Sequence, residues 1–116
     1  MLTLPPSVEI YLAAGATDLR RSVDGLRGVV ERSLGRDPYS GHLFVFRNRR
    51  GDRLKILVWD QSGFWVLYKR LEKGTFAWPE RGETGEIAIR GSDLMLLLSG
   101  VDPSRVRKRG WYERAA

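Results

Sequence analysis

Residues 41–79, GHLFVFRNRRGDRLKILVWDQSGFWVLYKRLEKGTFAWP, hold three runs of β-branched and aromatic residues separated by polar breaks that contain glycine. Such runs at this spacing predict a three-stranded antiparallel meander. The strands are residues 43–47, 53–60 and 64–71, and the breaks at 48–52 and 61–63 are short enough to be hairpin loops. Side chains alternate between faces along a strand, so register sorts them. If Trp59 faces Phe64, one face carries Leu43, Val45, Leu54, Ile56, Val58, Trp65, Leu67 and Leu71, a core composition. The other carries Phe44, Phe46, Arg53, Lys55, Leu57, Trp59, Phe64, Val66, Tyr68 and Arg70, aromatic rings beside cations, with Arg47, Arg49 and Arg50 near its rim.

Before the meander, Val8 to Leu12 alternates as a strand after Pro5-Pro6 and is expected at an edge of the meander. Leu19, Val23, Leu26, Val30 and Leu34 then recur at helical spacing, which predicts a helix capped by Thr17 or Asp18 and ended near Gly35. The expected docking site of this helix is the Leu43/Ile56/Leu67 face, with Gly25 and Gly28 allowing close approach to the sheet. Asp37-Pro38 and Ser40-Gly41 are turn chemistry leading into the meander. After it, Ile87 and Ile89 mark a short extended segment, and Leu94 to Leu98 a strongly apolar helix with Ser92 as N-cap and Gly100 as terminator. The expected fold is α+β: a central antiparallel meander with two packed helices in one domain over residues 1–102, followed by a basic C-terminal tail at 103–116.

The chain has 116 residues, enough for a single core without staples. It has no cysteine, which excludes disulfides, thiolate catalysis and Cys-ligated metal sites, and its lone histidine, His42, makes a poor basis for a metal site or a nucleophilic triad. No catalytic motif appears in its expected setting, so no enzyme, cofactor or metal is expected. No apolar run reaches the ~20 residues that span a bilayer, and the expected location is the cytoplasm. The net charge is +6, and sixteen of the twenty basic residues are arginine, whose planar fork suits phosphate and bases. A polyanion is the partner this composition favours.

The basic-aromatic face is the most expressive chemistry in the sequence. Rings on strands can stack bases while Arg and Lys follow phosphates. Burial under another element or a partner explains the same rings equally simply.

The order of residues 15–26, GATDLRRSVDGL, of Asp37-Pro38-Tyr39-Ser40-Gly41, of the block from Leu43 to Pro79 and of the closing helix resembles the second-reading-frame protein of insertion sequence 66 elements, often called TnpB. The resemblance covers most of residues 8–102. It implies a non-catalytic accessory factor for transposition of a bacterial mobile element, acting beside a separate transposase and a second small accessory protein. No catalytic residue comes with it. Two readings follow. In the first, DNA at the element ends is contacted by Arg47, Arg49, Arg50, Arg53, Lys55, Trp59, Tyr68 and Arg70. In the second, the aromatics and the Leu94 to Leu98 helix dock on the transposase or on a second copy of the chain, and DNA is not touched.

Overall fold

In the computed structural model the three central runs form the meander that their alternation predicts, and four further elements enclose it. In chain order these are β1 (Ile10–Ala13), α1 (Val23–Arg32), β2 (Leu43–Arg47), β3 (Arg53–Trp59), β4 (Phe64–Arg70), β5 (Glu86–Ile89) and α2 (Gly91–Ser99). The structure describes residues 7–79 and 84–100; the expected basic tail lies outside the described residues. The architecture is the expected α+β, with the sheet order β4-β3-β2-β1-β5.

Register follows the pattern of the sequence: Trp59 pairs with Phe64, Ile56 with Leu67 and Val45 with Ile56. The two faces therefore separate as alternation requires. β1 joins the meander at its edge, beside β2, as expected, and β5 then pairs antiparallel along its other side, so β1 becomes an interior strand of the five-stranded sheet. Its burial on every residue fits that place.

The pairing of β1 with β2 is parallel, Ile10 opposite Leu43 and Leu12 opposite Val45. Parallel neighbours need a crossover, and α1 is that crossover. Crossovers of this kind have one strongly preferred hand, so the pairing fixes which face the helix covers. That face is the one bearing Phe44, Phe46 and Leu57, against which Leu26 and Val30 pack. The expectation that α1 covers the Leu43/Ile56/Leu67 face is thus overturned. α2 and the segment after β4 cover that face instead, through Leu94, Leu97 and Phe76.

α1 is also shorter than its apolar spacing predicts. Asp18 does not cap it; its carboxylate accepts from the Arg20 backbone N–H at 3.0 Å and closes a separate turn. The helix starts after Ser22, and Leu19 packs from that turn rather than from the helix. Gly28 is buried, and a Cβ there would stand 2.6 Å from the Arg32 guanidinium, while one at Gly25 would meet the Arg21 side chain. α2 begins earlier than Ser92 would set it: Arg90 is its N-cap, and Asp93 accepts from the Arg90 backbone N–H at 3.3 Å. Gly100 ends it in the left-handed conformation, φ 77°, as its position predicts.

His42, the only histidine, has a structural place: its Nδ1 accepts from the Glu9 backbone N–H at 2.9 Å and its ring meets Tyr11 edge-on. No helix among the described residues is long and apolar enough to cross a membrane.

Ile56 lies at the centre of β3 and is 3 % exposed. Replacing it with alanine should destabilise the fold by about 2–5 kcal/mol through lost burial and a residual cavity. A urea midpoint unchanged in Ile56→Ala would remove this residue from the core.

Candidate nucleic-acid interface

Where α1 stops short, the basic-aromatic face of the sheet is open. Phe44, Phe46 and Leu57 are each 0 % exposed beneath the helix. Toward the first hairpin the same face forms an open groove of about 720 Å³, lined by residues 16–20, Asn48, Arg49, Arg53, Lys55, Val66 and Tyr68. Its floor is strand and its far wall is the loop before α1.

That loop is pinned to the hairpin by one backbone bond, from the Thr17 N–H to the Arg47 carbonyl at 2.8 Å. The hairpin is itself braced from within. Asn48 Oδ1 accepts from the N–H groups of Gly51 at 2.9 Å and Arg53 at 3.1 Å, while its Nδ2 donates to Asp52 at 2.9 Å. Gly51 takes φ 79°, a left-handed turn conformation that glycine adopts without steric cost. The loop tip then carries Arg49 and Arg50 exposed.

Lys55 reaches across the groove and donates to the Arg21 carbonyl at 3.1 Å, with its ammonium 5.9 Å from the centre of the Tyr68 ring. Tyr68 is 55 % exposed. Arg49, Arg50 and Arg53 make no ion pair with any described residue. Asp18 is the one carboxylate in the lining, and it is engaged by Arg20 at 2.9 Å. The groove therefore presents cationic donors around one exposed ring.

The structure divides the residues that the sequence singles out. Arg49, Arg53, Lys55 and Tyr68 come together in the groove, and Arg50 stands beside them at the hairpin tip. Arg47 does not join them. Its position in β2 turns it to the opposite face, where its guanidinium lies 5.7 Å from the centre of the Trp78 ring and its Nε is buried without a partner. Arg70 stands opposite Arg53 at the end of the strand pair and bonds to Glu72 at 3.2 Å. Trp59 lies at the other end of β3, half-buried, its ring 5.0 Å from those of both Tyr39 and Phe64. It is an element of an aromatic cluster, remote from the groove.

Thr17, Asp18, Arg20 and Asn48 are lining residues that strand alternation could not reveal, because they come from loops brought in by tertiary contacts. The available signal was the residue order through Gly15 to Leu26, which carries the family resemblance. Among the described residues no three His, Cys, Asp or Glu side chains are placed to share a metal ion.

Comparison with known proteins follows the same stretch of chain. Residues 8–108 match the family described as IS66 Orf2 like protein. Two curated relatives come from Sinorhizobium fredii (strain NBRC 101917 / NGR234). Uncharacterized protein y4hO is 41% identical over 102 residues, covering 88% of each chain. Uncharacterized protein y4jC is 37% identical over 102 residues, covering 88% of this chain and 86% of its own. No solved structure matches.

Two outcomes test this geometry. Hydrogen bonds from the Arg20 side chain, then from its backbone, hold the Asp18 carboxyl down to about 2. Because the folded value is depressed, the turn's contribution is complete above the ordinary carboxylate range and is lost as pH falls toward about 2. The Asp18 carboxyl carbon, followed by NMR, should titrate low and move up in Arg20→Ala; an ordinary carboxylate titration in the unmodified chain would reject the pairing. Separately, Trp59→Ala should lower folding stability by roughly 1–3 kcal/mol as its ring packing is removed, while Tyr68→Ala leaves the midpoint nearly unchanged. Equal losses would contradict the placement of the two rings.

Proposed function

The chain belongs to the IS66 Orf2-like family and so has its role in insertion-sequence transposition, and we propose that it serves there as a non-catalytic accessory factor that contacts DNA along the groove beside the first hairpin. The observation that carries this reading is the convergence of Arg49, Arg53 and Lys55 on one groove around the exposed Tyr68 ring, with Arg50 beside it. Guanidinium forks that form no ion pair suit phosphate oxygens. An exposed tyrosine offers a stacking platform worth about 1–3 kcal/mol per unpaired base. Element ends would supply the DNA, with the transposase and the second small accessory protein as the other partners.

An adaptor reading has its own support on the opposite face. Trp65 is 54 % exposed and Met95 59 % exposed, and large apolar side chains in such positions serve as anchors in protein interfaces. This reading predicts a complex with the transposase that forms without DNA.

A mobility-shift titration on the element's terminal repeats, run across salt concentrations, distinguishes them. Replacing Arg49, Arg50 and Arg53 together with alanine should make the slope of log affinity against log salt shallower by about 2.7, at ~0.9 for each phosphate no longer neutralised. A slope unchanged by the triple substitution would reject the groove as the DNA site, and absence of any shift with the unmodified chain would favour the adaptor.

A further inference from the structure

β4 is the terminal strand of the sheet, and no described residue pairs with its outer edge. The phase of its main-chain groups follows from two bonds that bracket it. The Leu71 N–H donates to the Asp52 carbonyl at 2.8 Å at one end, and the Asp60 N–H to the Gly63 carbonyl at 3.0 Å at the other. Antiparallel ladders alternate between bonded and non-bonded pairs. Residues 65, 67 and 69 therefore direct their N–H and C=O groups at β3, and residues 64, 66, 68 and 70 direct theirs outward.

Edges of this length are ordinarily blunted by an outward lysine, a proline or a bulge. β4 has seven residues in regular pairing and no proline. Its one lysine does not guard the edge: Lys69 is drawn toward α2 and donates to the Leu98 carbonyl at 2.6 Å. The other sheet edge, β5, has only four residues, and its Glu86 is held by Arg36 at 2.6 Å.

We propose that two copies of the chain pair antiparallel through β4, about a two-fold axis at Leu67, to form one continuous sheet. The sequence of the strand is complementary to itself in this register. Leu67 stands opposite Leu67 of the second copy, Val66 opposite Tyr68, Trp65 opposite Lys69 and Phe64 opposite Arg70. Each outward main-chain group meets another outward group, at the 64/70 and 66/68 pairs. Arg70 meets the Phe64 ring, and the apolar stem of Lys69 meets the Trp65 ring while its ammonium stays on the Leu98 carbonyl. Moving the axis one residue toward the C-terminal end sets Lys69 against Leu67 and Arg70 against Val66, moving it further sets Lys69 or Arg70 against itself, and moving it toward the hairpin shortens the ladder. A closed two-fold interface of this kind repeats every contact. It also brings the Trp65 ring, 54 % exposed on the face away from the groove, against the second copy.

The pairing goes beyond the DNA-binding reading and does not depend on it. Its consequence for the groove is geometric: Val66 and Tyr68 line it, so the grooves of two copies would meet across the strand pair and form one longer basic surface.

The native chain has no cysteine, which makes the register directly testable. Across a non-hydrogen-bonded antiparallel pair the Cα atoms stand about 4.5 Å apart, within disulfide reach. Full-length Leu67→Cys, gently oxidised without DNA, should give a covalent dimer on a non-reducing gel. Trp65→Cys should not, because its two copies would lie about 14 Å apart along the strands at ~3.4 Å per residue. Sedimentation of the unmodified chain should show twice the monomer mass with rising concentration. A chain that remains monomeric at high concentration overturns the proposal, as does cross-linking of Trp65→Cys as fast as Leu67→Cys. Loss of DNA binding with the dimer intact would count against the groove alone.

Discussion

The parallel pairing of β1 with β2 is the constraint from which the rest of the architecture follows. Ile10 opposite Leu43 cannot be reached by a hairpin, so the chain must cross over the sheet between them, and α1 does so. Once that helix lies on Phe44, Phe46 and Leu57, the other face must be covered by chain that comes later. α2 and the segment through Phe76 and Trp78 supply that cover, and the Trp78 indole N–H donates to the Ala13 carbonyl at 2.9 Å to hold the segment under β1.

The same crossover creates the groove. α1 has ten residues, too few to cover the sheet out to β4, and it is preceded by a turn in which Asp18 engages Arg20. The loop therefore descends beside the first hairpin, and the Thr17 to Arg47 backbone bond fixes it there. What remains uncovered is the part of the face where β3 and β4 carry Arg53, Lys55 and Tyr68. A helix of the length that apolar spacing alone suggests would have closed much of this opening.

Charge composition overstates the cationic surface that is free to bind. Arg36 pairs with Glu86 and lies 4.1 Å over the Tyr11 ring; Arg27 pairs with Asp24 and donates to the Tyr39 hydroxyl at 2.7 Å; Arg47 is turned against Trp78. These arginines fasten elements to one another. Arg49, Arg50 and Arg53 are different because the hairpin that carries them satisfies its own main chain through Asn48, and their side chains form no ion pair with a described residue. The Asp52 carboxyl is held below the usual carboxylate range first by the Asn48 hydrogen bond and then by the nearby Arg50 and Arg53. The family comparison covers this region without distinguishing one class of arginine from the other.

Sequence alone determined the features that rest on local periodicity. Alternation gave the three meander strands, the Trp59/Phe64 register and the division of side chains between two faces, since one-residue slips would have exposed Ile56 and buried Lys55. Helical spacing gave both helices, and Gly100 the end of the second. Residue order also carried the family. The tertiary structure decided which helix lies on which face, because parallel pairing and crossover hand are not written in any local pattern. It likewise decided that Arg47 leaves the basic cluster, that Trp59 joins Tyr39 and Phe64, and that Asp18 and Arg20 enter the groove. Those placements depend on contacts between residues distant in the chain, which periodicity cannot encode.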